Sequence, residues 1–122
     1  MRQVSPKARV FVVSDATGGT AEAATRAALL QFGDDLLEVE RFTKVQSIAD
    51  IENIVRMAQL QPTLVVYTLA QPEAAEAMRW ITELQGVVAI DVLGPLLAGL
   101  TQVLGRGPDP VARAPHNPTL DK

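Results

Sequence analysis

The sequence predicts an α/β domain of three layers, in which a four-stranded, mostly parallel sheet carries helices on both faces. Three observations support this fold class. Short runs of β-branched and other apolar residues alternate with longer amphipathic runs along most of the 122 residues. The strand-then-helix unit occurs four times, and successive units of this kind build parallel sheets. Apolar residues make up 48% of the chain, which is enough for one domain of this length to bury its own core.

Four short apolar runs are predicted to be strands, at residues 10–13, 37–42, 64–67 and 87–90. The first and third are apolar throughout, as expected of buried strands in a parallel sheet. The second alternates polar and apolar residues from Leu37 to Phe42, which is typical of a half-exposed edge strand. We therefore predict the strand order 2-1-3-4, with the alternating strand at an edge.

Each predicted strand is followed by a run with helical spacing of apolar residues, at about 20–32, 48–58, 72–85 and 95–104. Gly33 is expected to end the first helix and Gly86 the third. Ser47 is expected to cap the second helix in a capping box with Asp50, and Pro72 suits the first turn of the third. The inward helix faces are expected to be formed by Ile48, Ile51, Val55 and Ala58, by Ala74, Ala77, Met78, Ile81 and Leu84, and by Leu96, Leu97, Leu100 and Val103.

Composition excludes several classes of function. The net charge is −3 and no basic run is present, so a nucleic-acid partner is not expected. The chain has no cysteine, which excludes disulfides, thiolate catalysis and cysteine-based zinc sites. No signal peptide and no run of about 20 apolar residues is recognisable. We therefore expect a soluble, cytoplasmic protein without a membrane partner.

The C-terminal end differs in composition from the rest of the chain. Residues 1–104 are expected to form the α/β domain. Residues 105–122 contain four prolines and two glycines and offer little to bury, which is typical of a linker or a mobile end. His116, the only histidine, lies between prolines in this segment, so we expect it to be exposed rather than to act as a general base.

The stretch Ser14–Thr20, S-D-A-T-G-G-T, joins the first strand to the first helix and is the candidate ligand site. Ligands of parallel sheets gather beyond the carboxyl ends of the strands. Here Gly18 and Gly19 let backbone N–H groups converge, and the following helix directs its positive end to the same place. Thr68 and Asp91 end two further strands, where such residues commonly serve as caps. The candidate anion-binding loop comprises Ser14, Asp15, Thr17, Gly18, Gly19 and Thr20, with Arg41, Lys44, Thr68 and Asp91 as supporting residues.

Two considerations leave the role of this loop open. The carboxylate of Asp15 would repel a phosphate unless a cation, such as Arg41 or Lys44, lay between them. The loop is equally consistent with a plain turn, in which Thr17 or Thr20 caps the helix and the glycines only close the connection.

No familiar catalytic motif is present. Neither G-x-x-x-x-G-K-[ST] nor G-x-S-x-G occurs, so we predict no catalytic residue and no metal site in this chain. One interpretation is an interaction or regulatory module without chemistry of its own. Another is a flavodoxin-like domain, because Asp15–Thr20 resembles the T-x-T-G-x-T loop that holds the phosphate of FMN in flavodoxins. The loops after the third and fourth strands lack the aromatic residues that usually flank a flavin, and no fifth strand is predicted.

Three separated blocks of sequence resemble one known family. Residues 10–32 run from a strand into S-D-A-T-G-G-T-A-E and an alanine-rich helix that ends in Q-F. The later blocks are Y-T-L-A-Q-P at 67–72 and D-V-L-G-P at 91–95. In this order they resemble the N-terminal part of the pyruvate, phosphate dikinase / phosphoenolpyruvate synthase regulatory proteins. The matching positions are Ser14, Asp15, Thr17, Gly18, Thr20, Ala21, Glu22, Gln31, Phe32, Tyr67, Thr68, Leu69, Pro72, Asp91, Val92, Leu93 and Pro95.

The resemblance implies a bifunctional Ser/Thr kinase and phosphorylase at full length. Members of the family phosphorylate a threonine of the dikinase or the synthase with ADP, which inactivates that enzyme. They also remove the phosphate by phosphorolysis with inorganic phosphate, which releases pyrophosphate and restores activity. They are dimers, and their target is a cytoplasmic enzyme of phosphoenolpyruvate metabolism.

The resemblance also limits what this chain is expected to do. The family's phosphate-binding loop belongs to a C-terminal kinase-like domain, for which this sequence has no matching residues, and residues 105–122 are expected to be an interdomain linker cut short. ADP, phosphate and pyrophosphate are therefore expected to be used by the full-length protein, while this chain is expected to bind no cofactor and to be inactive alone. Its expected role is that of a scaffold, a dimerisation domain or a docking domain for the target. The choice between dikinase and synthase stays open.

Overall fold

The computed structural model describes residues 8–32 and 37–109 of the chain. Along these residues, strands and α-helices alternate as predicted. The strands are β1 (Arg9–Ser14), β2 (Glu38–Phe42), β3 (Thr63–Thr68) and β4 (Val88–Asp91), and the helices are α1 (Gly19–Leu29), α2 (Ile48–Ala58), α3 (Pro72–Gln85) and α4 (Leu93–Leu104). A short 3-10 turn, Leu30–Phe32, continues α1. Gly33, His116 and the rest of the predicted linker from residue 110 onward lie outside the described residues.

The strands form one parallel sheet in the order β2-β1-β3-β4, which confirms the predicted order and the edge position of β2. In the register of the sheet, Val10 of β1 lies opposite Val39 of β2 and Leu64 of β3. The chain moves outward from β1 to β2 and then crosses back to β3. The direction of strand order therefore reverses between β1 and β3.

Alternate side chains of each strand lie on opposite faces of the sheet, and helices pack on both faces. On one face Phe11 is fully buried and packs with Ile51 of α2 and Met78 of α3. On the other face Val12 packs with Ala21 of α1. The predicted three-layer α/β architecture is confirmed.

The predicted signals at the helix ends are also confirmed where the structure describes them. The hydroxyl of Ser47 accepts a hydrogen bond from the backbone N–H of Asp50 at 3.0 Å, and the Asp50 carboxylate accepts one from the N–H of Ser47 at 3.4 Å. Pro72 opens α3. Gly86 ends it with a φ of 70°, a conformation that glycine adopts without steric cost.

Five residues that were predicted to face the core are exposed instead: Ile48, Leu84, Leu96, Leu100 and Val103. Ile48 is the first residue of α2, so it lies at the helix end, and Ile54 takes its place in the buried face. In α3 the buried position belongs to Thr82, which is 2% exposed, rather than to Leu84. The Thr82 hydroxyl can be buried because it donates a hydrogen bond to the backbone carbonyl of Met78 at 2.7 Å.

Helix α4 departs furthest from the prediction. It begins at Leu93 rather than at Pro95, and only Val92 separates it from β4. Strand-to-helix connections usually have about two to six residues, which allows a helix to turn back over its sheet. With one connecting residue, α4 does not fold back over its own sheet, and none of its 12 residues is buried.

In the part of the chain that the structure describes, none of the helices has both the length and the hydrophobicity of a membrane span.

Candidate functional site

The candidate site lies where the strand order reverses, at the carboxyl ends of β1 and β3. Ser14, the last residue of β1, is in register with Thr68, the last residue of β3. Helix α1 leaves β1 toward one face of the sheet and α3 leaves β3 toward the other, since they pack in opposite layers. Divergence of two helices from neighbouring strands opens the crevice in which α/β proteins bind their ligands.

Asp15 is a buried link between the two loops of this crevice. The side chain is 5% exposed, and one carboxylate oxygen accepts hydrogen bonds from the backbone N–H groups of Ala70, at 2.8 Å, and Gln71, at 3.2 Å. Gln71 is the N-cap residue of α3, so the carboxylate also lies at the positive end of that helix. The negative charge of Asp15 is therefore compensated at α3, and the expected repulsion of an anion at α1 is reduced.

Gly18, the N-cap residue of α1, adopts a conformation that few other residues adopt. Its φ is 86°, and a Cβ atom built there would lie 3.5 Å from Cδ of Arg41. The N-cap residue of α1 is this glycine, so the N-cap position makes no side-chain hydrogen bond to the helix. The Thr17 hydroxyl instead accepts a long hydrogen bond, 3.4 Å, from the N–H of Gly19. An uncapped helix start leaves backbone donors for a ligand or for water.

Arg41 approaches the loop from the neighbouring strand β2. Its guanidinium donates hydrogen bonds to the carboxylate of Glu22 and, at 3.0 Å, to the backbone carbonyl of Thr17. Arg26 binds the other oxygen of the same carboxylate at 3.0 Å. Hydrogen bonds from Arg41 and then from Arg26 lower the pKa of Glu22, which stays ionised between two cations.

Lys44, which follows β2, lies next to the loop through its backbone. Its side chain is exposed and its backbone adopts a φ of 55°. Its N–H donates to the carbonyl of Ala16 at 3.1 Å, and the next N–H, of Val45, donates to the carbonyl of Ser14 at 3.0 Å. These two bonds hold the segment after β2 against the loop after β1. The guanidinium of Arg41 and the backbone of Lys44 thus both contact the candidate loop.

The two supporting residues at the other strand ends behave differently. Thr68 is 8% exposed and lies beside Ser14, whose hydroxyl accepts a hydrogen bond from the N–H of Ala16 at 2.9 Å. Asp91 belongs to β4, two strands away from β1, and its carboxylate accepts from the N–H of Gly94 at 2.8 Å. The Asp91 carboxylate therefore holds the first turn of α4, on a strand that is not adjacent to β1.

The chemistry that this arrangement can support is the binding of an anion. It offers the backbone amides of α1, the exposed hydroxyls of Thr17 and Thr20, and the cations Arg41 and Lys44. Both nearby carboxylates are engaged, Asp15 by backbone amides and Glu22 by two arginines, so neither is placed as a general base. The sequence pattern assigns no separate role to Glu22, although its spacing of four residues from Arg26 is a recognisable ion-pair signal.

Comparison with known proteins places these features in a family. The model of a family described as kinase/pyrophosphorylase matches residues 10–121. A provisionally named pyruvate, phosphate dikinase regulatory protein of Pelobacter propionicus is 37% identical over 97 residues, which cover 80% of this chain and 35% of that protein. One from Listeria welshimeri is 41% identical over 93 residues, 76% of this chain and 34% of the relative. The pyruvate, phosphate dikinase regulatory protein 1, chloroplastic, of Arabidopsis thaliana is 32% identical over 119 residues, 93% of this chain and 30% of the relative. The chain thus spans about a third of the length of these curated relatives.

Proposed function

The chain belongs to the kinase/pyrophosphorylase family, and we propose that it is the α/β part of a regulatory protein of pyruvate, phosphate dikinase or phosphoenolpyruvate synthase. The family match along residues 10–121 is the observation that carries this proposal. At full length such a protein transfers the terminal phosphoryl group of ADP to the hydroxyl of a threonine of the target enzyme, which becomes inactive, and AMP leaves. It restores the enzyme by transferring that phosphoryl group to inorganic phosphate, and pyrophosphate leaves.

The part of this function assigned to the 122 residues is docking of the target enzyme and association of two subunits. Phosphoryl transfer depends on groups that position the phosphates and stabilise their charge. The sequence contains no G-x-x-x-x-G-K-[ST] loop, and the carboxylates near the candidate loop are already engaged. The purified chain is therefore expected to transfer no phosphate from ADP to either target enzyme, whereas it is expected to bind one of them.

We further propose that the Ser14–Thr20 loop accepts a phosphate group. Three features support this: the uncapped start of α1, the engagement of Asp15 at α3, and the cations Arg41 and Lys44 beside the loop. A flavin is the weaker candidate, because the described connections after β3 and β4 contain no aromatic residue. Absence of flavin absorbance after incubation of the chain with FMN would be consistent with that view.

The substitution Gly18→Val is expected to weaken binding of inorganic phosphate at least about tenfold. A β-branched residue does not tolerate a φ of 86°, and its side chain would approach Arg41. Isothermal titration of the chain with phosphate, pyrophosphate and ADP measures the effect. Gly86→Val is the matched control, because Gly86 also has a positive φ, 70°, but ends α3 away from the loop. Equal affinities for the wild type and both variants, or no binding by the wild type, would contradict a ligand role for the loop and leave it a turn.

A further inference from the structure

Two buried hydroxyl groups lie side by side at the carboxyl edge of the sheet, one on Ser14 and one on Thr68. Ser14 ends β1 and Thr68 ends β3, and the two residues are in register. Ser14 is 3% exposed and Thr68 is 8% exposed. Because neighbouring strands lie about 4.8 Å apart, the two side chains leave the sheet at adjacent positions. We call Ser14 and Thr68 the hydroxyl pair.

The hydroxyl pair lies on the face of the sheet that α1 covers. Side chains alternate along a strand, so Thr68 shares a face with Val66, and Ser14 shares a face with Val12. Val12 and Val66 pack with Ala21, which belongs to the first turn of α1. Helix α1 packs against both β1 and β3. The hydroxyl pair is therefore directed to the side of the sheet on which α1 begins.

The hydroxyl of Thr68 has no hydrogen-bond partner in the part of the chain that the structure describes. The other buried polar side chains of that part all make hydrogen bonds: Ser14, Asp15, Thr25 and Thr82. The Ser14 hydroxyl accepts one from a backbone N–H, but it donates its own proton to no described atom. A buried polar group without a partner lowers stability, so its presence points to a bound molecule. The hydroxyl pair thus has two protons to donate to a ligand.

The start of α1 supplies further donors on the same side of the sheet. The first N–H groups of the helix, such as those of Thr20 and Ala21, have no acceptor within the helix. The N-cap residue, Gly18, has no side chain that could accept from them. The positive end of the helix dipole also favours a negative charge at this place. Backbone donors of α1 and hydroxyl donors of the sheet are therefore combined at one end of the crevice.

We propose that the hydroxyl pair is part of the phosphate site, so that one phosphate group accepts hydrogen bonds from the first N–H groups of α1 and from the hydroxyls of Ser14 and Thr68. This inference deepens the proposed function and rests on it for the binding of phosphate by the Ser14–Thr20 loop. It adds a ligand contact from β3, on the far side of the point where the strand order reverses.

The number and burial of the donors define the class of ligand. A phosphate group on a side chain presents three strong acceptor oxygens, whereas a carboxylate presents two oxygens, so phosphate can accept from α1 and from both hydroxyls at once. The hydroxyl pair is buried, which leaves no room beside it for a large organic group. The ligand is therefore a free phosphate ion or the phosphate of a monoester whose organic part stays outside the crevice.

The variant Thr68→Val tests the new contact, because valine has nearly the shape of threonine but no hydroxyl. We expect it to bind inorganic phosphate at least about tenfold more weakly than the wild type in isothermal titration. Its midpoint of thermal unfolding is expected to equal or exceed that of the wild type, because a buried hydroxyl without a partner is removed. Thr68→Ser keeps the hydroxyl and is expected to retain most of the affinity. Loss of affinity without loss of stability separates a ligand contact from a structural role.

The matched control is Thr82→Val. Thr82 is also buried, at 2% exposure, but it lies on α3 and its hydroxyl donates to the carbonyl of Met78. This variant is expected to bind phosphate as the wild type does. Wild-type affinity in Thr68→Val, or equal losses in Thr68→Val and Thr82→Val, would overturn the proposal. A lower unfolding midpoint of Thr68→Val with unchanged affinity would identify a structural water at the hydroxyl and would overturn it as well.

The outcome for Gly18→Val distinguishes this proposal from the one on which it rests. If Gly18→Val loses phosphate and Thr68→Val does not, the loop remains a phosphate site and only the role of the hydroxyl pair is contradicted. If the wild type binds no phosphate, the ligand role of the loop and that of the hydroxyl pair are both contradicted. Docking of the target enzyme is measured without phosphate and is judged separately.

Titration with inorganic phosphate and with O-phosphothreonine distinguishes the two sources of the phosphate group. Tighter binding of inorganic phosphate identifies a site for the free ion, and tighter binding of O-phosphothreonine identifies a site for a phosphorylated side chain. Each result supports the proposal when Thr68→Val weakens that binding. In amide NMR spectra of the wild type, the signals of Thr20, Ala21 and Thr68 are expected to shift most on addition of the ligand. Shifts confined to residues remote from these three would overturn the proposal.

Discussion

Replacing Asp15 with alanine is expected to lower the free energy of unfolding by about 3 kcal/mol. The carboxylate is buried and accepts hydrogen bonds from the N–H groups of Ala70 and Gln71. Alanine would leave both donors without their acceptor and would remove a negative charge from the start of α3. Chemical denaturation of wild type and variant at one fixed protein concentration measures the difference, since any association of copies would make stability depend on concentration.

The variant Asp15→Asn separates charge from hydrogen bonding at this position. Its amide oxygen still accepts a hydrogen bond, so we expect it to lose about half as much stability as the alanine variant. A loss below about 0.5 kcal/mol in both variants, combined with weaker phosphate binding, would contradict the structural role and indicate that Asp15 faces the ligand instead.

Replacing Phe11 with alanine is expected to lower the free energy of unfolding by about 3–5 kcal/mol, a large share of the roughly 5–15 kcal/mol of an ordinary domain. Phe11 is fully buried at the centre of the sheet, and its ring lies edge to face with that of Phe42 at a centroid distance of 4.8 Å. The guanidinium of Arg9 lies 4.5 Å from the centroid of the same ring, so the substitution also removes a cation–π contact. Thermal unfolding followed by circular dichroism measures the effect.

The control for this prediction is Trp80→Ala, which removes a larger aromatic side chain from a position that is 60% exposed. We expect a change within about 0.5 kcal/mol, because exposed side chains away from special contacts contribute little. Similar losses for the two variants would contradict the assignment of the core to the layer between the sheet, α2 and α3.

The fold could be predicted from the sequence because each signal is local. Apolar runs, the alternation in β2, the capping box at Ser47 and the glycine at position 86 each depend on neighbouring residues alone. The exposed face of α4 could not be predicted in this way. Its leucines have the spacing of a buried helix, but the length of the connection at Val92, which a shift of two residues in the helix start determines, decides where the helix goes.

The candidate site, too, could be predicted from the sequence only in part. The carboxyl-edge position of the Ser14–Thr20 loop follows from strand order, which the sequence pattern indicated. The partners of its charged residues do not follow from strand order, because they depend on contacts between distant parts of the chain. Asp15 binds amides 55 and 56 residues further along, and Arg41 reaches Glu22 across 19 residues. Sequence spacing alone therefore places the loop at this edge of the sheet but does not give the partners of its charged residues.

The measurement that tests the proposed docking role most directly is binding of the purified chain to pyruvate, phosphate dikinase and to phosphoenolpyruvate synthase by biolayer interferometry. The full-length Arabidopsis relative serves as the positive control for the dikinase, and heat-denatured chain serves as the unfolded control. We expect saturable binding of the folded chain to one of the two enzymes with a dissociation constant of about 1–10 µM or lower. Failure of the folded chain to bind either enzyme, under conditions in which the full-length relative binds, would contradict a docking role for this domain.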